Sequence, residues 1–171
     1  AGFKDLQQQL GRDEYSKTPY PIKHEFSEDR SLRRVLKALY SNKDGDAWLF
    51  TILLRDRLRC DKTSGLWYVW DGNYWKVDRL EEATAAVEEV IRFYQTEERR
   101  LALDYQVAFA RGEAEKVADY PRIQKDLKSR INILRSAHRK RNVLRLATVG
   151  KDSLAISGDE WDQHPWLLGC K

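Results

Sequence analysis

The residues most able to do chemistry lie between Lys116 and Arg145, where ten Lys/Arg stand against two Asp/Glu. The rest of the chain holds 21 basic and 25 acidic residues, so the overall charge of +4 conceals a strongly basic segment in a slightly acidic protein. Lys125, Lys128, Arg135, Arg139, Lys140, Arg141 and Arg145 are the candidate nucleic-acid-binding residues. Each can neutralise a backbone phosphate and release a counterion, which makes binding salt-sensitive. The alternative is a solvated or intramolecularly paired helix face.

A second constellation is aromatic. "GLWYVWDGNYWKVD", Gly65 to Asp78, carries three of the six tryptophans and two of the eight tyrosines. Trp67, Trp70 and Trp75 are candidate stacking platforms for unpaired bases. The simpler role is structural: Trp and Tyr pairs across a hairpin stabilise a ribbon that is marginal alone.

Catalytic arrangements are lacking in the sequence. "VGKDS", Val149 to Ser153, resembles the end of a phosphate-binding loop, but Arg145 stands where the upstream glycine belongs, and the segment follows a helical pattern instead of opening one. His24, His138 and His164 share no ligand spacing with one another or with Cys60 and Cys170. No serine sits in a Gly-x-Ser-x-Gly turn. The Glu88-Glu89 and Glu97-Glu98 pairs project in different directions from a helix and read as solvated surface. We therefore expect no catalytic residue, no metal and no cofactor in this chain.

The elements that must position these groups follow from periodicity. Residues 1–26 read as an extended arm with Pro19 and Pro21. Ser27 caps a helix with Leu32, Val35, Leu36 and Leu39 on one stripe, and Asn42 stops it. Asp46 caps a second helix running to about Arg57, and "LRCD" is a short strand. "LWYVW" alternates, "DGN" turns and "YWKVD" returns, which makes a hairpin. From Glu81 the chain is helical until Gly112. A helix near Asp119 then carries Pro121 in its first turn and Ile123, Leu127, Ile131 and Leu134 on its apolar side. At ~100° per residue, Lys125, Lys128, Asn132, Arg135 and Arg139 line an adjacent face. Continued straight, that helix would turn Arg141 and Arg145 inward. A break at Ser136–His138 is therefore expected, with Ser136 capping a last helix that Gly150 ends and "SLAIS" following as a strand. The fold class is α+β, predominantly helical, with a small antiparallel β-sheet built on the Trp-rich hairpin.

No apolar run approaches the ~18–20 residues of a membrane span, and the polar N-terminus does not read as a signal peptide. Two distant cysteines suggest free thiols and a cytoplasmic setting. A chain without methionine, starting at Ala1 and stopping after "PWLLGCK", is expected to be a piece of a longer polypeptide.

Three segments in order carry a family resemblance: "GDAWLFTILLRDRLRCDKTSGLWYVWDGNYWKVD", the charged helices, and "LAISGDEWDQHPWLLG". Over Gly45 to Gly169 the chain resembles the domain preceding the superfamily-three helicase core of phage and plasmid primase–helicases, a group that includes the poxvirus primase–helicase. The family's W-x-x-W-D-G-x-x-W stretch appears as Trp67, Trp70, Asp71, Gly72 and Trp75. Its closing motif appears as Asp162, Pro165, Trp166, Leu167 and Leu168, with Gly169 where the family usually has Asn.

The resemblance implies three parts. Residues 1–43 would be an arm and first helix leading from an upstream domain, residues 44–150 the helicase-preceding domain, and residues 151–171 a connector to a C-terminal helicase. It also implies a parent that hydrolyses ATP with magnesium in that helicase domain, which this chain lacks. The domain's role would be accessory: DNA binding and coupling to the motor, with DNA, its own helicase domain and neighbouring ring subunits as partners. One alternative is an oligomerisation or protein-interaction collar without DNA affinity. The other, an enzyme in its own right, is disfavoured by the missing nucleotide loop and metal cluster.

Overall fold

The computed structural model describes residues 30–158. The arm, the Ser27 cap and the closing motif Asp162–Gly169 lie outside the described residues. The fold is α+β and predominantly helical.

Helix α1 (Arg30–Tyr40) presents Leu32, Val35, Leu36 and Leu39 to the core. Asn42 does break the helix, with φ 54, but the chain resumes helical geometry at once in α2 (Asn42–Leu54). Asp46 is therefore not the expected cap. It lies one turn inside α2 and is fully buried. Gly45 permits this junction, because a Cβ there would sit 1.9 Å from the Ala38 carbonyl oxygen. Leu49, Phe50 and Leu54 are buried around α2, which packs on α1, on the long helix α4 (Val87–Ala110) and on the last helix α6 (Ala137–Ala147). A helix apolar on most sides is a central one.

Strands β1 (Leu58–Asp61), β2 (Trp67–Trp70), β3 (Trp75–Val77) and β4 (Ala155–Ile156) form a sheet in the order β3-β2-β1-β4. The hairpin is antiparallel as expected, with Trp70 opposite Trp75. The sheet as a whole is mixed, however, because β4 pairs parallel to β1 through Cys60 and Ala155. That pairing needs the whole helical segment as its crossover, and hairpin periodicity does not encode it.

The turn is built by Asp71, whose Oδ1 accepts from the Asn73 and Tyr74 amides at 2.9 and 3.0 Å, while Gly72 takes φ 106. Asp78 then caps the short helix α3 (Glu82–Ala85), accepting from the Glu82 and Ala83 amides at 2.8 Å each. Helix α4 buries Val87, Val90, Ile91, Tyr94 and Leu101 and ends at Gly112, φ 72. After a 3-10 turn (Ala114–Val117) comes α5 (Tyr120–Leu134), with Pro121 in its first turn. Its buried residues are Ile123, Leu127, Ile131 and Leu134. Ser136 leaves the helix (ψ 140) and its hydroxyl accepts from the Arg139 amide, so the expected break and cap both occur.

Candidate nucleic-acid interface

The break at Ser136 decides which cations face water. On α5, Lys125, Lys128 and Arg135 are exposed on the side away from the buried stripe. Lys128 Nζ lies 3.3 Å from Glu98 Oε1, and at 66% side-chain exposure that pair contributes about 0–1 kcal/mol. On α6, Arg141 and Arg145 are exposed one turn apart, opposite buried Val143, and Lys140 is half-buried. Among the described residues, Lys125, Arg135, Lys140, Arg141 and Arg145 take part in no ion pair.

Arg139 departs from the expected row. The new helix begun by Ser136 rotates it to the core side, in line with Val143, and it is 8% exposed. Its guanidinium bonds Asp46: Nε lies 3.1 Å from Oδ2, and Nη2 contacts the same oxygen. Arg130 reaches Oδ2 from α5 at 3.1 Å, and it also donates to the carbonyls of Asn42 and Leu39 at 2.8 Å each. Tyr94 completes the cluster by donating to Asp46 Oδ1 at 2.9 Å. Burial, followed by the Asp46 charge, holds the Tyr94 phenol far above its usual range. Nothing in the sequence linked Asp46, Tyr94, Arg130 and Arg139, although a carboxylate inside the apolar "GDAWLF" was a hint that it needed buried partners.

The aromatic candidates also separate. Trp67 packs against the core, and Trp75 is 8% exposed on the opposite sheet face. Trp75 therefore has little ring surface open to solvent, while Trp67 is partly buried. Trp70 is half-buried, with its ring centroid 5.3 Å from that of Trp75 at 55°. It lines an open cleft of about 440 Å³ together with Arg57, Glu82, Glu88, Glu89 and Arg92. The Arg59 guanidinium carbon lies 5.6 Å from the Trp75 ring centroid, and desolvation lowers the Arg59 pKa.

Cys60 is a free, buried cysteine whose thiol pKa is raised by desolvation. Among the described residues, no group of His, Cys, Asp or Glu is arranged to hold a metal, and no helix is long and apolar enough to cross a membrane.

Residues 34–171 match the family model described as "D5 N terminal like". No curated protein and no solved structure matches the chain significantly. With that match covering most of its length, the chain belongs to the D5 N-terminal-like family, the N-terminal domain of D5-type primase–helicase proteins.

Proposed function

We propose that this domain is a non-catalytic accessory module of a replicative primase–helicase from a mobile element, and that it contacts DNA through α5 and α6. The observation that carries the reading is the set of exposed cations, Lys125, Arg135, Arg141 and Arg145, that the fold leaves without an anionic partner among the described residues. Uncompensated charge of one sign on neighbouring helices suits a polyanion. Lys128 is available after release from its exposed pair, and Lys140 contributes from the rim. Arg139 does not belong to this surface. Nucleotide hydrolysis, with ATP and magnesium, is assigned to the attached motor, and the domain couples strand contact to it.

A second reading, an oligomerisation collar, is favoured by the end of α4. There Leu103, Val107 and Phe109 are 62, 48 and 67% exposed on a helix that extends past its buried stripe. Fluorescence anisotropy with labelled single-strand, fork and duplex probes, combined with analytical ultracentrifugation, separates the two. DNA binding lost on combined Arg135→Ala, Arg141→Ala and Arg145→Ala supports the first. Concentration-dependent self-association with no DNA affinity supports the collar.

A further inference from the structure

We propose that the junction of α1, α2, α5 and α6 holds a second anion site, a basin for a single phosphate-class oxyanion. Asn42, Lys43, Asp44, Arg130, Ile133 and Arg139 line an open cavity of about 500 Å³. The inference rests on how charge is distributed there.

Asp46 is bonded to two guanidinia, and both of its oxygens are engaged. Tyr94 occupies Oδ1, and both arginines share Oδ2. One positive charge is thus left over beneath the basin. Lys43, exposed and unpaired among the described residues, adds another at the rim. Asp44 subtracts one, leaving three cations against two carboxylates. Arg139 uses Nε and Nη2 on Asp46 and the Asn42 carbonyl, while its Nη1 meets no acceptor among the described residues.

The guanidinia are also held in place before any ligand arrives. Carbonyls of Leu39 and Asn42 fix Arg130, and Asp46 fixes Arg139, so an oxyanion would find donors already oriented. The start of α2 adds its N-terminal dipole at the same place. Arg130 is engaged by Asp46 and by the Leu39 and Asn42 carbonyls, whereas Arg139, whose Nη1 meets no acceptor among the described residues, lines the basin with a donor to offer. The basin is larger than a phosphate, so it admits one attached to a further group. The shared chemistry is a phosphate dianion, either free or at a DNA strand end. This site uses different residues from the α5–α6 face and does not depend on the DNA reading.

The test uses the full 171-residue chain, titrated with inorganic phosphate at constant ionic strength and followed by the backbone amide shifts of Asn42, Lys43 and Asp44. We expect saturable shifts in the wild type. Binding should weaken about tenfold in Lys43→Ala, the loss of one charge-assisted contact, and tighten in Asp44→Asn. Both positions are exposed, so the variants keep the fold. In competition, a 5′-phosphorylated oligothymidylate that displaces phosphate while its 5′-hydroxyl counterpart does not assigns the site to strand ends. Failure of both oligonucleotides to compete assigns it to free phosphate. Shifts that are linear with phosphate, or equal in all three proteins, overturn the site. Arg135→Ala and Arg141→Ala should leave this titration unchanged, so loss of DNA affinity and loss of the basin are read separately.

Discussion

Asp46 and Arg139, 93 positions apart in sequence, meet in a buried pair that joins the second helix to the last one. Arg130 and Tyr94 close on the same carboxylate, so four helical segments share a single anionic centre: α2, α4, α5 and α6. Removing one partner of such a cluster leaves uncompensated charge in the interior.

Asp46→Ala strands both arginines and should destabilise the fold by about 3–5 kcal/mol. Urea unfolding followed by far-UV circular dichroism checks it. A loss below 1 kcal/mol would mean that the guanidinia are solvated by other means.

Gly45→Ala places a methyl group against backbone, 1.9 Å from the Ala38 carbonyl oxygen. Backbone yields less than a side chain does, so a loss at the upper end of overpacking costs, about 3 kcal/mol, is expected. The thermal midpoint reads it directly. An unchanged midpoint would show that α1 and α2 can separate freely.

Acid should weaken the protein through two turns. Asp61 has its pKa lowered, chiefly by the Ser64 hydroxyl and next by the Thr63 amide. Asp71 has its pKa lowered by the Tyr74 amide and then the Asn73 amide. Depressed folded values mean stability that is complete above the unfolded carboxylate value of about 3.9 and is lost as pH falls through the folded values. Thermal midpoints should therefore be independent of pH, as far as these groups are concerned, between about pH 5 and 7, where their contribution is full. They should fall below about pH 4, less steeply in Ser64→Ala. A Ser64→Ala profile that parallels wild type down to pH 2.5 would remove Asp61 from the acid response.

Trp75→Ala should cost about 3–5 kcal/mol, as expected for a buried aromatic ring. Trp70→Ala should cost less stability, since its ring is only partly buried. If a base stacks on Trp70, the substitution should also weaken single-strand binding by about 1–3 kcal/mol. Anisotropy with oligothymidylate checks the second point, and unchanged affinity would confine Trp70 to packing.

Much of the architecture was legible because it is local. The Asp71-Gly72-Asn73 turn, Pro121 in the first turn of α5, the Ser136 cap and the terminal glycines 112 and 150 each act within a few residues. Contacts between distant segments were not legible. The parallel pairing of β1 with β4 spans almost a hundred residues, and no period in the sequence announces it. The destination of Arg139 depended on how far the chain turns at Ser136. The break was readable, but one helical face was assigned across it, and the rotation carried Arg139 inward. Asp46 read as a cap because Asn42 was taken to end helicity, whereas Gly45 lets the chain continue. Trp67 and Trp75 share a hairpin yet point to opposite sheet faces, and only packing shows that Trp75 is covered on its own side.

The central claim is that unpaired cations on α5 and α6 meet phosphates, and a salt titration of DNA affinity tests it most directly. The dissociation constant for a single-strand probe should be measured across a range of salt concentrations, for the wild type and for the Arg135→Ala, Arg141→Ala, Arg145→Ala triple variant. We expect a steep log–log dependence whose slope falls in magnitude by about 2 in the variant, roughly 0.7 for each lost contact. Equal slopes in the two proteins, or no measurable affinity at low salt in the folded wild type, would contradict the account.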